Sequence, residues 1–170
     1  MALKEEIEKL ADACSACAEA DDGSLDEHFA SCSSCQEYEK KAEQMSQMVE
    51  VLQMNAAKPE EDRLKILHAR IMSFVQLPDD ERKDAVANMF DSLAMLSEED
   101  RVKIVKSRTD VLTKLPKEQR MKLMGTAKLI TSDWDDERKN MEMRAITAAT
   151  EDYFLLKRMM VRKMFRNLIS

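Results

Sequence analysis

The chain has 170 residues, of which 44% are hydrophobic and 35% are charged, and its formal net charge is −6. This composition is typical of a globular protein and excludes an intrinsically disordered chain. Only two glycines and three prolines are present, so the turn residues that a sheet protein needs are scarce. Ala, Leu, Met, Glu, Lys and Arg, which favour helices, dominate instead. We therefore predict an all-α fold.

The charge is distributed unevenly along the chain. Residues 1–57 carry a net charge of −9, residues 58–100 carry −5, and residues 101–170 carry +8. Such a gradient can steer partners or draw two parts of one chain together. Both signs are nevertheless mixed throughout, so we expect no direct binding of nucleic acid.

We expect neither a secretory signal nor a membrane span in this sequence. The N-terminus lacks a basic segment followed by an apolar one, and no stretch approaches the roughly 18 consecutive apolar residues of a membrane span. We expect a cytoplasmic protein whose cysteines stay reduced, which favours metal binding over disulfides.

Two helices are predicted in the N-terminal region. Residues 3–20 place apolar side chains at spacings of three and four, as on one helical face. Ser24 and Glu27 form a capping-box pattern that predicts the start of a second helix, which continues through Leu52. His28, Cys32 and Cys35 would lie on one face of this second helix, at i, i+4 and i+7.

All four cysteines and one of the two histidines fall in one short segment that begins at Cys14 and ends at Cys35: Cys14, Cys17, His28, Cys32 and Cys35. Thiolates and imidazole are the ligands that zinc prefers, and four of them close a tetrahedral structural site. The spacing leaves two ligand sets open, either the four cysteines or His28 in place of one N-terminal thiolate. Buried structural cysteines, a redox dithiol and an iron–sulfur cluster are alternatives, and zinc is favoured over each of them.

The segment 25–38 contains the pattern His-x3-Cys-x2-Cys and resembles the zinc-finger anti-sigma family. The resemblance implies a helical head that occludes the surfaces by which a sigma factor grips RNA polymerase. It also implies that thiol oxidation can eject the metal and release the partner. The ligands implied by the resemblance are His28, Cys32, Cys35 and one of Cys14 or Cys17.

A repeated pattern begins at residue 58. An arginine recurs with spacings of 19, 19, 19 and 18; a Pro or Ser stands four residues before it in the first four units, and a run of acidic residues precedes it in all but the fourth. We call these the repeat arginines: Arg63, Arg82, Arg101, Arg120 and Arg138. Acidic residues after Pro or Ser are typical of a helix start. We therefore predict one helix of about three turns and a short connector per unit, stacked as a solenoid-like array. The repeat arginines are expected to pair with acids of an adjacent first turn.

Apolar side chains follow each arginine at helical spacing, and we predict that they form the core of this array. The units resemble those of the cytoplasmic N-terminal domain of magnesium transporters and of flagellar switch proteins, which implies a helical-repeat fold. The predicted core residues are Leu64, Leu67, Ile71, Val86, Phe90, Leu93, Val102, Val105, Leu112, Leu123, Ala127 and Ile130.

The last predicted helix runs from about residue 134 to the end of the chain. Its segment 153–166 is both basic and apolar. Such a segment could lie on a membrane surface or in a partner's groove, but docking on the chain's own body is favoured. The chain thus divides into a zinc-binding head, 1–57, and a helical-repeat domain, 58–170, with a basic amphipathic C-terminal helix.

No glycine-rich phosphate loop or catalytic side-chain constellation is evident, so we expect no enzyme activity. The leading hypothesis is a zinc-binding regulator that acts by protein–protein interaction, with a sigma factor or another transcription component as its partner. The alternative is a structural or assembly subunit in which zinc is a staple. An electron-transfer protein with an iron–sulfur cluster is a third hypothesis.

Overall fold

The computed structural model describes residues 32–169, apart from the side chains of residues 34, 35, 38 and 39. Over this range the chain is helical and contains no strand, which confirms the all-α prediction. The helices are α1 (Ser33–Ala56), α2 (Glu60–Gln76), α3 (Asp79–Met95), α4 (Glu98–Lys114), α5 (Lys117–Thr131), α6 (Asp136–Ala149) and α7 (Leu155–Ile169).

The chain divides into two compact units, Met1–Gln47 and Met48–Ser170, and the boundary falls inside α1. The second unit holds the helices of the repeated pattern, and we call residues 48–169 the helical body. Its buried apolar residues form one cluster that begins at Leu52 and ends at Ile169.

The period of the repeat corresponds to one helix and one connector. Helices α2, α3 and α4 have 17 residues each, and two residues separate each of them from the next helix. The prediction of one helix per unit is confirmed, but the predicted length of about three turns is wrong. Because the connector takes only two residues, the helix takes all the others, and these make nearly five turns at about 3.6 residues per turn.

Helix ends in the body are encoded by the Leu-Pro and Leu-Ser connectors. Leu77 has extended backbone angles at the end of α2, since a following proline disfavours the helical conformation of the residue before it. Pro78 then precedes the first residue of α3, where a missing N–H costs nothing. Ser97 replaces proline before α4, and its hydroxyl accepts a hydrogen bond from the Asp100 N–H at 3.2 Å.

The helices of the body pack in two rows. Helices α2, α4 and α6 contact one another in sequence, and α3, α5 and α7 form the second row. The rows meet through the pairs α2–α3, α2–α5 and α6–α7. The predicted apolar positions lie within this core, most of them buried and Leu64, Val102 and Ile130 partly buried.

The predicted single helix from about residue 134 to the chain end is wrong, because the chain breaks between α6 and α7. Thr150 ends α6, and its buried hydroxyl donates to the Ile146 carbonyl at 2.8 Å. Arg162 of α7 reaches back to the same place, with Nε 3.1 Å from the Thr150 hydroxyl and Nη2 2.9 Å from the Thr147 carbonyl. The break lets α7 fold back on α5 and α6.

Candidate functional site

The predicted metal ligands lie mostly outside the described residues. Cys14, Cys17 and His28 belong to that undescribed part of the chain, and for Cys35 the structure gives only a backbone position in the first turn of α1. Cys32 directly precedes α1 and is partly buried. Within residues 32–169, no three His, Cys, Asp or Glu side chains come together as a metal site requires.

Cys32 lies outside α1, although it was expected within a helix that starts near Ser24. The described helix begins at Ser33, and the predicted start itself lies outside the described residues. The Cys32 carbonyl accepts a hydrogen bond from the Gln36 N–H at 3.0 Å, as the residue before a helix does. Cys32 therefore marks a helix start, and Cys35 follows one turn later.

Four of the five repeat arginines donate to carbonyls at the end of the preceding helix or in its connector. The last carbonyls of a helix have no hydrogen-bond partner within it and carry partial negative charge. A guanidinium supplies both the missing donor and a compensating positive charge. Apart from the Leu93 carbonyl, which also accepts from Arg101, these carbonyls lie five or seven residues before the arginine. The pairs are Arg63 with Ala56 (3.3 Å) and Lys58 (2.9 Å), Arg82 with Leu77 (2.9 Å), Arg101 with Ala94 (2.9 Å) and Leu96 (2.7 Å), and Arg120 with Thr113 (3.4 Å).

Two of these arginines also reach the helix two positions ahead. Arg63 Nε donates to the Ser107 hydroxyl of α4 at 2.8 Å, and Arg82 Nε donates to the Thr126 hydroxyl of α5 at 2.9 Å. Both acceptors lie 44 residues after their arginine and are buried. The equivalent position for Arg101 is Ala145, which has no hydroxyl. Arg101 Nε instead donates to the Leu93 carbonyl at 2.9 Å.

The expectation that the repeat arginines pair with acids of an adjacent first turn is therefore wrong. Among the repeat arginines, Arg82 alone contacts a first-turn acid, and that acid, Asp79, belongs to its own helix α3. Arg82 Nη2 lies 2.5 Å from Asp79, and this hydrogen bond and charge hold the pKa of Asp79 below its usual range. Arg138 contacts Asp91 at 2.9 Å, but that acid lies near the end of α3. Backbone carbonyls are the better partners because a short connector places them next to the arginine.

A further arginine that donates to a carbonyl at the end of the preceding helix was missed in the sequence. Arg158 Nη1 lies 3.2 Å from the Glu151 carbonyl, seven residues earlier, as in the units of Arg63, Arg101 and Arg120. Arg158 follows Arg138 by 20 residues, one more than the usual spacing of 19, so the spacing was available as a signal. Tyr153 occupies the position of the connector leucine, and no proline or serine follows it.

The hydrogen bonds of the repeat arginines predict that the same substitution destabilises the protein by different amounts in different units. We expect Arg82→Met to lower the free energy of unfolding by about 2 kcal/mol, because Thr126, the Leu77 carbonyl and Asp79 all lose the buried guanidinium as their donor. Arg120→Met is the matched control, since its one 3.4 Å bond is long, and should cost less than about 1 kcal/mol. Urea unfolding of both variants measures the difference, and equal losses would contradict the assigned role of these contacts.

A buried ion pair lies where four helices meet. Arg108 of α4 is 2% exposed, and its Nη2 donates to the buried Glu142 carboxylate of α6. Its guanidinium carbon lies 5.3 Å from the ring centre of Phe90 on α3 and 5.6 Å from that of Phe165 on α7. Within the described residues, Arg108 Nε and Nη1 have no hydrogen-bond partner. The site combines charge neutralisation with cation–π contacts in an apolar setting.

Arg108 of this pair borders a cavity of about 40 Å³. Apart from Arg108, the lining is apolar and includes Phe74, Met89 and Leu112. This volume is small beside the roughly 300–1,000 Å³ of a ligand pocket. The Arg108–Glu142 pair is therefore part of the core, and the contacts of Arg108 with Phe90 and Phe165 connect its row to the second row.

A second charged cluster fixes the α6–α7 link. The Tyr153 hydroxyl donates to Asp110 Oδ1 at 2.8 Å, and Lys157 Nζ lies 2.6 Å from the same oxygen. Burial raises the pKa of Tyr153, and the hydrogen bond to Asp110 raises it further. The hydroxyl therefore stays protonated and remains a donor to α4.

His68, the one histidine outside the cysteine-rich segment, is exposed on α2. It lines a shallow groove with Leu64, Lys65, Val111 and Lys114. This position makes it a surface residue of the body.

None of the helices in residues 32–169 is both long and apolar enough to cross a membrane. No protein-family model, curated protein or solved structure matches the chain.

Proposed function

We propose that the chain is a zinc-binding regulatory protein of the cytoplasm that acts through protein–protein contacts. The observation that carries this proposal is the gathering of all four cysteines and His28 at ligand spacing in the single segment from Cys14 to Cys35. A site with four protein ligands leaves no open position for a substrate, so the metal would stabilise the fold of the head.

The helical body supports a binding role rather than contradicting one. Its helices are tied to one another by arginine side chains that span from one helix to the next and to the helix after that. Such ties keep the surface preorganised, which lowers the entropic cost of docking on a partner.

A sigma factor or another transcription component is the proposed partner, and this rests on the resemblance to the anti-sigma family. In that family a long helix follows the His-x3-Cys-x2-Cys motif. Here the 24-residue α1 begins at Ser33, within the motif, and continues to Ala56. The order of motif and helix therefore supports this choice of partner.

Metal analysis of protein purified without oxygen tests the zinc proposal. We expect one zinc per chain and a colourless solution. Iron together with visible absorption would replace the proposal by an iron–sulfur protein in electron transfer. Protein without either metal would overturn it.

An adaptor or assembly subunit is the second candidate, and the repeat architecture favours it. Stacked helical units are typical scaffolds because they offer an extended surface. Copurification with and without a mild oxidant separates the two candidates. A thiol-sensitive regulator should lose its sigma factor when zinc is ejected, whereas a scaffold should keep its partner subunits as long as the head stays folded.

A further inference from the structure

The outer face of α7 and the residue before it expose a group of large apolar side chains. We call this group the α7 patch: Phe154, Leu155, Leu156, Met159 and Met160, each between 57% and 79% exposed. Single exposed apolar residues are ordinary on protein surfaces, but these five are close neighbours in the chain and form a contiguous patch. A patch of this kind is typical of an interaction surface.

The patch is not needed to hold α7 on the body. The opposite face of the helix already does so, because Val161, Phe165, Leu168 and Ile169 are buried in the core. Helix α7 is therefore apolar on two faces. The apolar residues of its C-terminal half pack on the body, and those of its N-terminal half face outward. The outward-facing α7 patch makes no contribution to the core of the described residues.

The charge on this helix has one sign. Residues Leu155–Ile169 include five basic side chains and no acidic one. Lys157 and Arg162 are engaged with the body, whereas Lys163 and Arg166 are exposed. Lys163 follows Met159 by four residues, and Arg166 follows it by seven, so both cations lie on the patch side of the helix.

We propose that this outer face binds the surface of an anionic phospholipid bilayer. The α7 patch enters the boundary between headgroups and acyl chains, and Lys163 and Arg166 lie at the lipid phosphates. Within α7 the apolar patch is accompanied by cations and no acid, which matches a surface that is apolar inside and negatively charged outside. The nearest acid in the chain, Asp152, is paired with Lys106 of the body. The inference does not depend on the proposed zinc site, since every residue it uses lies in the helical body.

Cosedimentation of the full chain with vesicles tests the proposal. We expect binding to phosphatidylcholine vesicles that contain phosphatidylserine, weaker binding to phosphatidylcholine alone, and a loss of binding as salt is raised. The double variant Leu156→Glu/Met160→Glu should bind at least about tenfold less, because two apolar anchors are lost. Lys163→Gln/Arg166→Gln should weaken binding to the anionic vesicles by about thirtyfold.

The matched control is Met95→Glu/Met121→Glu. These methionines are 59% and 62% exposed, similar to Met160, but they lie on α3 and α5. The control should bind vesicles as strongly as the unaltered chain does. The melting temperature of every variant should equal that of the unaltered chain. Equal vesicle binding by the control and the patch variant would overturn the proposal, as would no binding to anionic vesicles. A concentration-dependent dimer that only the patch variant abolishes would assign the patch to a second copy instead.

Discussion

Glu142→Ala is expected to lower the free energy of unfolding of the helical body by about 3–5 kcal/mol. The substitution leaves Arg108 with an uncompensated charge between Phe90 and Phe165, in a place that water scarcely reaches. A loss of this size is a large fraction of the roughly 5–15 kcal/mol that stabilises a typical domain. Denaturant unfolding measures it as a lower midpoint at unchanged slope.

Two further variants separate charge from packing. Glu142→Gln keeps the shape and a hydrogen-bond acceptor, so we expect a smaller loss than for alanine. Arg108→Met/Glu142→Leu removes both charges and should be more stable than Glu142→Ala, since apolar replacement of a buried pair is often neutral or favourable.

Fluorescence of the single tryptophan reports on this region of the body. Trp134 packs edge-on against Phe90 at 5.1 Å, next to the buried pair. If Glu142→Ala lost less than about 1 kcal/mol, the pair would not be the buried, coupled unit described above.

Cys35→Ser should abolish zinc binding and unfold the head. A serine hydroxyl is a poor replacement for a thiolate, and both candidate ligand sets include Cys35. Because structural zinc contributes about 10–16 kcal/mol of apparent binding free energy in small zinc-binding peptides, its loss should outweigh any other single change in the head. Zinc content and helical circular dichroism are the measurements.

Ser33→Ala is the matched control, since Ser33 lies in the same segment and is not a predicted ligand. It should keep one zinc per chain. The Trp134 unfolding transition should survive in Cys35→Ser, which would show that the body folds without the metal. An unchanged zinc content in Cys35→Ser would remove the proposed site.

The helix starts of the body could be predicted because their signals are local. Pro59, Pro78 and Pro116 each precede a helix, and the acids after Pro59 and Pro78 fill a first turn. The connector leucines also mark the ends of α2, α3 and α4, so the period followed from the sequence. The helix length could not be predicted, since the period alone does not say how many of its residues belong to the helix and how many to the connector.

The partners of the repeat arginines could not be predicted in the same way. Every residue has a carbonyl, so the sequence does not show which carbonyl will accept from an arginine. The hydroxyl acceptors could be recognised in the sequence, because Ser107 and Thr126 are separated by one period of the repeat. The break at Thr150 was missed since threonine is a weak stop signal, and its effect depends on Arg162 returning from α7.

The candidate metal site could be predicted only as a set of residue types at suitable spacing. Its identity rests on Cys14, Cys17, His28, Cys32 and Cys35, of which the side chain of Cys32 alone is described. The choice between four cysteines and a histidine-containing set is a question of three-dimensional distances, and spacing along a chain does not fix these. The zinc site therefore stays a prediction.

The reach of the contacts in the body has a consequence for the rate of folding. Each helix packs mainly on the next or the second next one along the chain, and the longest of the arginine ties between helices, from Arg138 to the Phe90 carbonyl, spans 48 residues. Chains with such short sequence separations between contacting residues close small loops first and typically fold within microseconds to milliseconds. Newly synthesised helices can therefore dock as soon as the helix two positions later has emerged, so apolar stripes stay exposed only briefly.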